Sequence, residues 1–145
     1  MRKLIAVLLC LSLAPCGQVL AEGTLHPVKI SQSQLAGEIF KQREPVVQTH
    51  DGNTTHDVEV FRTDDEKFDV GVWDSGAARM EINTPYPYNE YMHLLKGSVT
   101  LTSADGQVTE VNAGESVILP MGWTGIWDTP GCLKVYVIYA PDKNL

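Results

Sequence analysis

Residues 90–122 read EYMHLLKGSVTLTSADGQVTEVNAGESVILPMG, and this stretch decides the fold. Residues 91–102 form one long β-rich run interrupted by Gly97. Ala104-Asp105-Gly106 is a turn, because Asp-Gly tolerates the positive φ that tight hairpins require. Residues 108–111 return as a strand, Asn112-Ala113-Gly114 turns again, and residues 116–119 are the next strand. Upstream, Val58 and Val60 alternate with charges, as a half-buried strand does. Phe68, Val70 and Val72 alternate next, and residues 78–82 form a strand that ends before Pro85 and Pro87. Downstream, Pro130-Gly131 reads as a final turn and residues 133–139 as a closing strand. About eight short strands with turn signals every 8 to 12 residues predict an all-β sandwich or barrel. No helical alternation suggests a parallel sheet, and no repeat or second domain is visible.

The chain has 145 residues, enough for one domain with a modest core. Its first residues read as an export leader: a basic Arg2-Lys3 start, an apolar run over residues 4–14, helix-breaking Pro15 and Gly17, then Val19-Leu20-Ala21 before Glu22. The run is shorter than the roughly 20 residues a membrane-spanning helix needs. The expectation is a signal peptide over residues 1–21, cleavage near Ala21, and a periplasmic or secreted mature chain. Leu13-Ala14-Pro15-Cys16 loosely resembles a lipoprotein box, so lipidation at Cys16 is the alternative, although Pro15 replaces the usual small residue. Loss of Arg2 and Lys3 with the leader takes the net charge from −7 to −9. So acidic a chain repels nucleic acid and anionic membrane. Cys10 and Cys16 leave as well, so Cys132 has no intramolecular partner; the apolar alternation after it marks a strand-packing residue. Residues 22–55 are the least regular part. They are expected to pack on a barrel formed by residues 56–145, with residues 35–40 as a short helical turn or lid and Val46-Val47 as a short strand.

Glu90 and Gly97, with six residues between them, resemble the second half of the first cupin motif. Gly114, Pro120 and Gly122 resemble the opening of the second. The glycines let strands bend sharply, and the proline ends a strand at the rim. Gly71-Val72-Trp73, Leu95-Lys96-Gly97-Ser98-Val99-Thr100-Leu101, Ala113-Gly114-Glu115, Pro120-Met121-Gly122-Trp123, Gly125-Ile126-Trp127 and Lys134-Val135-Tyr136-Val137-Ile138 resemble the cupin branch that includes ureidoglycine aminohydrolase. The resemblance implies one conical double-stranded β-helix, or jelly roll, with a short irregular N-terminal segment and a small pocket. Metal-binding cupins use three histidines and one glutamate, suited to Mn, Fe, Ni or Zn. Here the first histidine pair should fall near residues 83–86, where none stands, and the third at Gly125. Only Glu90 occupies a ligand position. No cofactor is therefore expected, a divalent metal being the alternative.

A carboxylate inside a barrel needs a cation or a proton. Glu90 is thus the candidate base or ligand contact, with Arg79 on the strand before and Lys134 on the closing strand as its candidate cations. Tyr86, Tyr88 and Trp123, beside prolines and glycines, are candidate pocket walls. Trp73 and Trp127 read as core. His93, an odd number of residues from Glu90, belongs to the outer face. His50 and His56 flank a solvated loop, and His26 carries no signal. No nucleophile elbow, phosphate loop or serine triad is present. The reading that follows is an exported cupin binding a small organic ligand. The alternative is a hydrolase or isomerase resembling ureidoglycine aminohydrolase, with Glu90 as general base and Arg79 or Lys134 holding a substrate carboxylate. A third reading is an interaction module, since cupins form homodimers by exchanging strands or packing sheets.

Overall fold

The computed structural model describes residues 25–50 and 52–142. The expected leader, Cys10, Cys16 and the cleavage site at Ala21 lie outside those residues. Eight strands follow one another: β1 (Val46–His50), β2 (Asn53–Arg62), β3 (Phe68–Ser75), β4 (Ala78–Ile82), β5 (Asn89–Ser103), β6 (Val108–Asn112), β7 (Ser116–Leu119) and β8 (Gly125–Tyr139). All pairings are antiparallel. The main order is β1-β2-β3-β8-β5-β6, with β4 added to β8 and β7 added to β5.

The two fifteen-residue strands carry the architecture. β5 and β8 pair along almost their whole length, and each bends once. The bends meet, because Gly97 lies opposite Cys132 and Ser98 opposite Gly131. Gly97 has φ 72° and Gly131 φ 129°, a region that β-carbon-bearing residues avoid. A methyl at Gly97 would run into the Gly131 carbonyl. Before the bend β5 pairs with β7; after it, β5 pairs with β6. Likewise β8 pairs with β4 in its first half and β3 in its second. One ladder is thereby rolled into two walls facing a common interior.

The Pro130-Gly131 turn expected from sequence is not a turn. Both residues lie inside β8. A register irregularity opposite Ser98 and Thr100 takes up the proline, and Thr129 bridges the gap, donating to the Ser98 carbonyl at 2.6 Å and accepting from the Gly131 amide at 3.0 Å.

Within residues 22–55, the described part (25–50 and 52–55) is more regular than its composition suggests. A kinked helical segment, Gln34–Glu38 with Gly37 at φ 113°, runs into one turn, α1 (Ile39–Gln42). β1 extends the sheet, and the expected boundary at residue 55 falls inside β2. The helical segment is no lid: it covers the outer face, where Ile39, 1% exposed, packs on Val58, Val72 and Leu133. Burying Ile39 contributes about 2 kcal/mol. His56 lies on β2, bonded to Asp74 at 2.7 Å beside the Phe40 ring, and His50 ends β1. The second core fills the interior with Met92, Leu94, Val99, Leu101, Val111, Leu119, Trp127 and Cys132. Burial pushes the Cys132 thiol up, away from the thiolate.

Candidate functional site

Strand register determines which side chains meet inside the roll. Three rungs cross β2, β3, β8 and β5. The first is Asp57, Trp73, Lys134 and Leu94; the second is Glu59, Gly71, Tyr136 and Met92; the third is Arg62, Asp69, Ile138 and Glu90. Arg62 joins the third because the β2–β3 register slips between Glu59 and Phe61. That bulge reverses the side-chain alternation, so Arg62 turns inward and Phe61 outward. Its extra carbonyls are covered by Arg43, whose guanidinium donates to Glu59 O at 3.0 Å and Val60 O at 3.4 Å.

Apart from Gly71, Met92 and Leu94, the residues of these rungs line an open cavity of about 420 Å³ together with Val46, Met80, Tyr86, Tyr88 and Trp127, within the size range of small-molecule sites. At its floor Glu90 and Lys134 form an ion pair of 2.6 Å, the residues 3% and 7% exposed. Lys134 stands two rungs above Glu90 and reaches it past Met92, whose sulfur is 3.9 Å from the ammonium. The ammonium also sits 4.9 Å from the Trp73 ring centroid, 4.8 Å from Trp127 and 5.9 Å from Tyr136. Ring faces are electron-rich, so this box supports a buried cation.

Gly71 is a gap in the second rung. A β-carbon there would collide with the Tyr136 ring. The tyrosine instead lies across β3 and donates to Asp57 at 3.0 Å. Asp69 binds Arg62 at 3.0 Å, and Arg62 also meets Glu59 at 2.7 Å. Burial raises the carboxyls of Asp57 and Asp69 above the ordinary range, opposed at Asp57 by the Tyr136 hydrogen bond and at Asp69 by Arg62. The Tyr88 phenol is pushed up to about 12, first by burial and then by Glu90. Tyr86 and Tyr136 move up further, also chiefly through burial. All three remain protonated hydroxyls at neutral pH.

Of the six site residues expected from sequence, four meet here: Glu90, Lys134, Tyr86 and Tyr88. Arg79 does not. It alternates with inward-facing Met80, stands 58% exposed, and pairs with Asp128 at 2.7 Å on the outside. Exposed pairs contribute little, so Arg79→Ala is expected to shift urea-denaturation stability by no more than about 1 kcal/mol. A loss beyond about 2 kcal/mol would contradict the outward placement. Trp123 is one layer behind the cavity, braced against Tyr86 at 5.9 Å and donating to Ser103 Oγ at 3.1 Å. Trp73 and Trp127, read as core, also line the cavity, their rings nearly perpendicular at 6.0 Å. His93 is on the outer face, bonded to Ser116 at 2.9 Å.

Sequence reasoning missed Asp57, Glu59, Arg62, Asp69 and Tyr136. The signal was the charge alternation in β2, which reads as a solvent face when the strand is considered alone. Among the described residues, no group of three or more His, Cys, Asp and Glu side chains is arranged to hold a metal ion. Among them, too, no helix is long and apolar enough to cross a membrane.

A single antiparallel ladder, bent at paired glycines and rolled around a polar cavity, defines the cupin class. The chain belongs to the EutQ-like cupin domain family, whose pattern matches residues 62–136, just over half of its length. The fold is shared with the EutQ protein of Clostridium difficile, at TM-score 0.55 and 19% identity over 66% of this chain and 75% of that one. It is shared with a DUF861-family protein of unknown function from Pseudomonas syringae pv. tomato, at TM-score 0.57 and 23% identity over 66% of this chain but only 42% of the other. The cupin domain of Schizosaccharomyces pombe Cnp3 also shares it, at TM-score 0.53 and 13% identity over 66% and 68%. No curated protein matches the chain.

Proposed function

We propose that this chain is an exported cupin that holds a small organic molecule in its barrel without the three-histidine metal site. One observation carries the reading. Among the described residues, three of the four buried polar side-chain atoms without a partner, Arg62 Nε, Asp69 Oδ1 and Trp127 Nε1, belong to residues that line the cavity. Buried polar groups are ordinarily satisfied, and unpaired ones around an open cavity suit a ligand that completes them. The leader-like start supports delivery to the periplasm. Mass spectrometry of material released from protein recovered from its native periplasm is expected to find one organic species near stoichiometry, on a chain beginning at Glu22. A stoichiometric transition metal after mild purification would sink the reading.

The second reading is a hydrolase or isomerase of the ureidoglycine aminohydrolase type, with Glu90 as general base. The depth of Glu90 among Tyr86, Tyr88 and Lys134 favours a chemical role for it. Against this, Arg79 is engaged with Asp128 outside, and Lys134 is engaged with Glu90 itself. Neither cation is then left to hold a substrate carboxylate. Ammonia release from ureidoglycine that disappears in Glu90→Gln would restore the enzyme reading.

A further inference from the structure

Resting on the ligand-binding reading, the geometry points to the chemical class of the ligand: we infer a molecule with a protonated amine on an apolar body, its ammonium seated at Asp57. Charge gives the sign. Among the described residues, four carboxylates line the cavity, Asp57, Glu59, Asp69 and Glu90, against two cations, Arg62 and Lys134. Both cations are committed, Lys134 to Glu90 and Arg62 to Glu59 and Asp69. Lys134 is near enough to lower the Asp57 carboxyl, yet its ammonium makes its ion pair with Glu90. Among the described residues, the contact of Asp57 is a neutral hydroxyl, that of Tyr136. Asp69 Oδ1 is a second buried acceptor, with no hydrogen-bond partner among the described residues.

An anion entering this cavity would face a surplus of negative charge in a strongly acidic protein; an ammonium finds the opposite. A bare metal cation is the poorer occupant, since the described carboxylates are not clustered to coordinate one. Val46, Trp73, Met80 and Ile138 supply the apolar wall on which an organic body packs.

Three shape-matched probes test this by isothermal titration and by shifts of cavity resonances: cyclohexylmethylammonium, cyclohexylmethanol and cyclohexanecarboxylate. The ammonium is expected to bind at least about tenfold more tightly than either of the others. Asp57→Asn keeps the side-chain size and an acceptor for Tyr136. It is expected to cost the ammonium about tenfold and leave the alcohol unchanged. Equal or tighter binding of the alcohol or the carboxylate, or an ammonium affinity indifferent to Asp57→Asn, overturns the amine assignment while leaving a ligand-binding barrel. Saturable binding by none of the three, in protein that also releases no organic molecule, overturns both.

Discussion

Lys134→Met is expected to lower the free energy of unfolding by about 3–5 kcal/mol, because it leaves the Glu90 carboxylate buried with no cation beside it. The ammonium also leaves its box of Trp73, Trp127 and Tyr136 rings. The informative comparison is the double variant Lys134→Met/Glu90→Leu. Replacing a buried ion pair by apolar side chains of similar volume is commonly neutral or stabilising, so the double variant is expected within about 2 kcal/mol of the parent. Urea titration followed by tryptophan fluorescence measures both, since Trp73 and Trp127 flank the pair. Recovery in the double variant means that the barrel does not need the pair in order to fold. The pair is then retained for what it presents to the cavity. A double variant as unstable as the single one would make the pair a structural clamp and weaken its claim to be part of a binding site.

The second large effect is expected at the strand crossing. Gly97→Ala places a methyl in a positive-φ residue and against the Gly131 carbonyl. Backbone strain and a collision with main chain that cannot swing aside add to more than about 3 kcal/mol. Little soluble protein is an equally expected outcome. Gly106 is the internal control, because its φ of 88° is similar and nothing lies near where its methyl would go. Gly106→Ala is expected to cost only about 1–2 kcal/mol, the strain alone. The difference between the two midpoints in urea isolates the collision. Equal effects would mean that the two bends do not press on each other as described.

Much of this frame is readable in the residues themselves. Asp105-Gly106 and Asn112-Ala113-Gly114 specify reversals locally, and they fall between β5, β6 and β7 as expected. The partnership of Glu90 with Lys134 follows from the need of a buried carboxylate for a cation. What failed were inferences that required knowing what covers each face. In β2 and β3, Val58, Val70 and Val72 look like the inward set and Asp57, Glu59 and Asp69 like the wet one. The reverse holds, because the segment around Ile39 covers Val58 and Val72, Val70 shares an outer cleft with Val28 and Ile30, and the acids face the cavity. No periodicity within a strand distinguishes a polar pocket from solvent. Arg79 was misplaced for a related reason: alternation limits it to the face opposite Met80, but says nothing about which face is inside. At Pro130-Gly131 two turn-forming residues sit in a ladder because the bend opposite Gly97 demands the same backbone freedom that a turn does.

The slipped register in β2 has a consequence for how such a cavity changes over time. The bulge between Glu59 and Phe61 decides whether a guanidinium or a benzyl ring enters the third rung, since with Val60 paired to Val70 Phe61 would stand opposite Asp69. Moving that bulge past Phe61 exchanges the lining while the Gly97–Gly131 crossing is untouched. Chemical preference and architecture are thus written into separate parts of the chain. A lineage of these barrels can drift from one class of guest to another without passing through an unfolded ancestor.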